Sequence, residues 1–101
     1  MRWDSAEIVR LVQAVRALKS DTEARHFLRD LMTEGEIEEF AKRLQAAEML
    51  AARIPYSEIE KKTGLSSTTV ARVSKWLKGK EGGYRTILHR LHTKRGSKAG
   101  R

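Results

Sequence analysis

GLSSTTVARVSKWLK, residues 64–78, opens on a glycine and sets four hydroxyl residues, Ser66, Ser67, Thr68 and Thr69, at the head of a helical pattern. Ser and Thr are mediocre helix formers because their side chains compete for backbone hydrogen bonds. One of them suffices as a cap. Ser66 is placed to be that cap, accepting a hydrogen bond from a backbone N–H one turn in. The other three hydroxyls need a different reason to be there.

The residues just upstream supply it. Pro55 disfavours helical geometry at Ile54 and is tolerated at a helix start, so a short helix is expected from about Tyr56 to Thr63. Gly64 offers the positive backbone angle that stops it. Two short helices joined through Gly64, Leu65 and Ser66 form a helix-turn-helix pattern over about 56–78. Ile59, Leu65, Val70 and Val73 are apolar where such helices must meet. In a helix-turn-helix the amino end of the second helix enters the major groove of DNA. Short hydroxyl side chains at Ser67, Thr68 and Thr69 permit close approach, exchange hydrogen bonds with phosphates and base edges, and offer Thr methyls to thymine methyls. Arg72 and Lys75 project from roughly the same outer face. Lys61 and Lys62 end the preceding helix within reach of backbone phosphates.

Helix pairs with a glycine turn also occur in proteins that bind no nucleic acid, and the distribution of charge favours the DNA reading. Residues 1–60 hold 9 Lys/Arg and 12 Asp/Glu, a net of −3, whereas residues 61–101 hold 12 Lys/Arg and only Glu81, a net of +11; together these make the net charge of +8. A basic half joined to a mildly acidic one implies a polyanionic partner.

The rest of the chain reads as helix. Asp4–Glu7, Ser20–Glu23 and Thr33–Glu36 resemble three capping boxes. Ile8, Leu11, Val12, Val15 and Leu18 follow the first, and Ala24, Phe27, Leu28 and Leu31 the second. The third opens the longest helix, with Ile37, Phe40, Ala41, Leu44, Ala47 and Ala51 expected inward. Glu81-Gly82-Gly83 is a break before a last face of Tyr84, Ile87, Leu88 and Leu91. The expectation is an all-α fold of six helices, one domain over 1–93, and a basic disordered tail over 94–101.

Several chemistries find no support. There is no cysteine, hence no disulfide or thiolate metal site. No apolar run approaches a membrane span, and the N-terminus lacks a signal-peptide core; a cytoplasmic, nucleoid-associated protein is expected. His26, His89 and His92 do not make a metal set. No Ser has a His and Asp partner pattern. Glu34, Glu36, Glu38 and Glu39 suit a helix start, and Gly82-Gly83 is no phosphate loop. No enzyme, metal or cofactor is expected.

The segments LMTEGEIEEFAKRLQAAEMLA (31–51) and YSEIEKKTGLSSTTVARVSKWLK (56–78), with the Gly82-Gly83-Tyr84 joint, resemble the tryptophan repressor superfamily, in particular its YerC/YecD-like branch. The resemblance spans roughly residues 20–92. It implies an intertwined homodimer that binds operator DNA through paired helix-turn-helix units. By that resemblance Ser67, Thr68 and Thr69 face the groove, and Tyr56, Ser57 and Glu60 lie where the first motif helix nears DNA; the acidic Glu60 departs from the expected chemistry. Arg72 matches one corepressor-pocket arginine of the family and Arg43 falls near the other. Val73 stands where the family's tryptophan-binding member has glycine, so tryptophan is not the expected effector, and the effector is unknown.

A homodimer is expected on independent grounds, because the first two helices carry wide apolar faces that a small reading head cannot cover. The leading expectation is a sequence-specific double-stranded-DNA-binding transcriptional regulator acting as a repressor. The alternatives are a non-specific RNA- or nucleoid-binding protein using the basic half, and a protein-interaction module using residues 8–31.

Overall fold

The computed structural model describes the backbone of residues 1–99 and the side chains of residues 1–93. Six helices follow in order: α1 (Ala6–Arg16), α2 (Asp21–Leu31), α3 (Glu34–Ala51), α4 (Tyr56–Thr63), α5 (Ser67–Leu77) and α6 (Gly83–Ala99). There is no strand among the described residues. The fold is all-α, as the periodicity implied.

The chain divides into two compact units, Met1–Ile37 and Glu38–Arg101, where the sequence pattern implied one domain. The physical reason is visible in the first unit: neither α1 nor α2 contains a buried residue. Helix α6 also continues to Ala99, beyond the expected helix end at Thr93. Lys and Arg are good helix formers, and the single Gly96 in this stretch lowers helix stability without forcing a stop. The expected disordered tail over 94–101 is therefore helical as far as Ala99, and residues 100–101 lie outside the described residues.

In the first unit, the caps decide where helices begin. Ser20 Oγ accepts from Glu23 N–H at 3.1 Å, while the Glu23 carboxylate accepts from Lys19 N–H. Thr33 and Glu36 form the full reciprocal box, Glu36 N–H donating to Thr33 Oγ1 at 3.1 Å and Thr33 N–H to Glu36 Oε1 at 2.9 Å. The box expected at Asp4–Glu7 does not form. Ser5 is the N-cap residue but makes no side-chain cap bond, and its hydroxyl is buried without a partner. Glu7 sits only two residues after Ser5, one short of the spacing that the reciprocal geometry needs.

In the second unit, Ile59, Val70 and Val73 are fully buried with Ala46 and Ala47, and Leu65 joins them at 7% exposure. Met49, Leu50, Ile54, Tyr84 and Leu88 pack around this cluster. Ala46 and Ala47 are the two α3 residues buried in this cluster. The inward stripe expected on α3 is corrected accordingly: Ala47 is buried, whereas Phe40, Ala41 and Ala51 are exposed. The buried side of α3 is centred on the two alanines, so the stripe through Phe40 turns away from this core.

The α4–α5 turn is held locally. Thr63 Oγ1 donates to Ile59 O at 2.7 Å and accepts from Leu65 N–H at 3.1 Å, so one buried hydroxyl satisfies a carbonyl and an amide at once. Gly64 takes φ 77° as the C-cap of α4. At the other end of the long helix a residue with a side chain does the same job. Arg53 has φ 63°, with Arg53 N–H donating to Leu50 O and Ile54 N–H to Met49 O, both at 3.0 Å. These two bonds are a Schellman closure of α3, and placing a non-glycine residue there costs about 1 kcal/mol. Helix α5 is tied to α6 by Arg85, whose Nη1 donates to Leu77 O at 2.6 Å and satisfies a terminal carbonyl of α5.

Two substitutions test this packing by thermal or denaturant unfolding. Ile59→Ala should cost about 3 kcal/mol, because it opens a cavity in a fully buried cluster. Gly64→Ala has open space for its Cβ and should lose only the backbone term, about 1 kcal/mol. A larger loss for Gly64→Ala than for Ile59→Ala would contradict the assignment of the core.

Candidate nucleic-acid interface

Helix α5 has one buried side and one open side, and the helical repeat sets which residues fall on each. Val70, Val73 and Ser74 are buried. At 3.6 residues per turn, Thr68, Arg72 and Lys75 form the opposite stripe, with Ser67 and Ala71 beside it. All five are exposed. Within its own unit the amino end of α5 therefore projects outward, with Ser67 and Thr68 exposed.

The four hydroxyls divide by role. Ser66 caps the helix as expected, its Oγ accepting from Thr69 N–H at 3.2 Å and donating to Thr69 Oγ1 at 3.1 Å. Thr69 is half-buried, its hydroxyl engaged by the cap. Ser67 and Thr68 are exposed, with no side-chain hydrogen bond among the described residues, and are free to meet another molecule. Ala71, which the sequence reading passed over, shares their face. Its only sequence signal is its place four residues after Ser67, and its methyl suits an apolar contact with a thymine methyl.

The neighbouring cations frame this end. Lys61 and Lys62 close α4 and are exposed, as are Tyr56 and Ser57 at its start. Glu60, the acidic departure, is half-buried. Arg72 has no carboxylate within ion-pair distance among the described residues. Lys75 sits at the border of the stripe. It helps to line an apolar cavity of about 650 Å³ with Leu44, Trp76, Tyr84 and Ile87. A Lys can lay its stem against such a surface and still present its ammonium to solvent.

The two arginines suggested as effector ligands have different surroundings. Arg43 lies over the ring of Phe40 at 5.4 Å and over that of Trp76 at 5.6 Å, and pairs with Glu39 at 3.3 Å. Its guanidinium is already engaged on three sides. Phe40 and Trp76 are each 45% exposed, so this stack lies at the surface. Tyr84, in the same cavity, has its phenol pKa raised by burial, an effect that the Arg43 charge partly offsets. Val73 is fully buried, leaving no open space at its position. No His/Cys/Asp/Glu group among the described residues could hold a metal ion, and no helix among them is long and apolar enough to cross a membrane.

Comparison with known proteins places this geometry. The family model for the Trp repressor protein matches residues 6–92. The Bacillus subtilis (strain 168) protein YerC is 35% identical over 85 residues, which are 84% of this chain and 82% of YerC. The crystal structure of a TrpR-like protein from Eubacterium eligens ATCC 27750 superposes with a TM-score of 0.84 at 34% identity, covering 90% of this chain and 94% of that one. A Staphylococcus aureus chain of known structure gives a TM-score of 0.83 at 32% identity, covering 90% and 91%. A match over nearly the whole described chain, with a helix pair closed by Gly64 and capped by Ser66 at its centre, leads to one assignment: the chain belongs to the Trp repressor family.

Proposed function

We propose that this protein is a sequence-specific, double-stranded-DNA-binding transcriptional regulator that acts as a repressor by occupying its operator. The observation that carries this reading is the outward amino end of α5, with Ser67 and Thr68 exposed. Ser67 and Thr68 are the groove-facing hydroxyls, supported by Ser66 and Thr69 as the cap pair. Arg72 and Lys75 follow along the same face. Lys61, Lys62, Tyr56 and Ser57 contact the DNA backbone from α4. Membership of the Trp repressor family supports a regulatory rather than an enzymatic role, and the protein would work in the cytoplasm at the nucleoid.

The reading includes a homodimer. Trp3, Val12 and Val15 before and along α1, and Leu31 at the end of α2, are exposed apolar side chains, and neither helix holds a fully buried residue. A second copy is the natural cover for such faces. An isologous pair would present two helix-turn-helix units to a two-fold site with half-sites about one helical turn apart. Tryptophan is not the effector in this proposal, because Val73 fills the position beside Arg72 and Arg43 is held by Phe40, Trp76 and Glu39.

Selection of bound duplexes from a random pool tests the proposal directly. A recurrent palindrome is the expected result. Equal affinity for selected and random duplexes at about 0.15 M salt would instead favour a non-specific RNA- or nucleoid-coating protein. On the selected duplex, Thr68→Ala should cost about 1 kcal/mol and relax preference at one position per half-site. Lys75→Ala should weaken all duplexes alike and flatten the salt dependence. Light scattering should return twice the 11.5 kDa chain mass, and a strict monomer would remove the dimer from the account.

A further inference from the structure

We propose that Arg53 is an additional DNA-backbone contact, held at the entrance to α4 by a strained left-handed turn; the inference rests on the DNA-binding reading above.

Arg53 is the one non-glycine residue with positive φ among the described residues. The position asks for glycine, because a Cβ in this conformation crowds the backbone. The chain meets the same demand with Gly64 at the end of α4, eleven residues later. At Arg53 it carries instead a long cation. Such strain persists where the surroundings enforce it, and it gathers at functional sites. Here the two Schellman bonds to Leu50 O and Met49 O enforce it.

The internal structure gives the side chain no work. Arg53 is exposed. Among the described residues it has no carboxylate within ion-pair distance and no side-chain hydrogen bond. Its position does suggest a task. Ile54 and Pro55 alone separate it from Tyr56, where α4 opens. Ile54 shares a shallow groove of about 410 Å³ with Met49, Glu58, Lys61 and Lys62. Arg53 itself stands outside that groove, three residues before Tyr56, so that it places a cation ahead of the helix whose last turn carries Lys61 and Lys62 and whose first turn carries Glu58. A guanidinium there suits a phosphate, which it can meet with paired hydrogen bonds. The competing explanation is electrostatic support of the α3 carboxyl end, which has no basic residue in its last turn.

Three variants separate these roles: Arg53→Gly removes the strain and the charge, Arg53→Gln removes only the charge, and Arg53→Lys removes neither. Binding is read by anisotropy on two fluorescein-labelled duplexes, the selected one and one of random sequence, across a salt series. Tm is read in parallel. We expect Arg53→Gly and Arg53→Gln to lose about fivefold in affinity on both duplexes, with a salt slope shallower by about one per subunit. Arg53→Lys should keep most of the affinity. Arg53→Gly should raise Tm by about 4 °C, so that its weaker binding cannot come from unfolding. Wild-type affinity and slope in Arg53→Gly and Arg53→Gln would overturn the inference, and a fall in Tm of Arg53→Gln with unchanged binding would assign the residue to the α3 end. Failure of the wild-type protein to bind either duplex would overturn the DNA-binding reading itself, and this inference with it.

Discussion

One buried apolar cluster, Ala46 and Ala47 of α3 with Ile59, Leu65, Val70 and Val73, sets the geometry of the basic half. Burial of Val70 and Val73 fixes the rotation of α5 about its own axis. Once that rotation is set, the helical repeat leaves Thr68, Arg72 and Lys75 no other place than the outside. The face available to a partner is thus a consequence of apolar packing on the other side of the same helix. The local devices refine it: Thr63 satisfies two backbone groups inside the turn, Gly64 reverses the chain, Ser66 caps the helix, and Arg85 anchors its far end at Leu77.

The first unit follows a different logic. Its helices are well capped by Ser20 and by the Thr33–Glu36 pair, yet α1 and α2 bury no residue. Capping settles where a helix begins; it does not supply a core. Most helical stability in proteins comes from packing an apolar face, and the first unit gives α1 and α2 no fully buried residue of their own. The proposed dimer follows from this imbalance, and so does the division into two compact units.

The α4–α5 helix pair was legible because each of its signals acts over a few residues. Pro55, Gly64 and Ser66 do in the structure what their backbone chemistry implies, and α4 spans the expected residues. The charge on the two halves was legible for the same reason, since it needs no geometry. Features that depend on a neighbouring element were less accessible. Phe40 looked inward because it continues a helical stripe, but the residues of α3 that bury are Ala46 and Ala47, and the sequence alone does not say which stripe joins the core. Ala71 carries no chemical flag and joins the exposed face only through its phase with Ser67. Ser5 resembles a capping residue, but its carboxylate partner is one residue out of register. Nothing in local propensity singles out Arg53, whose left-handed backbone is imposed by the closure of α3. The end of α6 was placed too early because the loss of apolar pattern after Thr93 says where a face ends rather than where a helix does.

Backbone amide NMR during titration with the selected duplex reports contact residue by residue. If the amino end of α5 meets the groove, the amides of Ser67, Thr68, Ala71 and Arg72 shift most, while those of Val70 and Val73 on the buried side move less. Shifts confined to residues after Thr93, with the amino end of α5 unmoved, would contradict it.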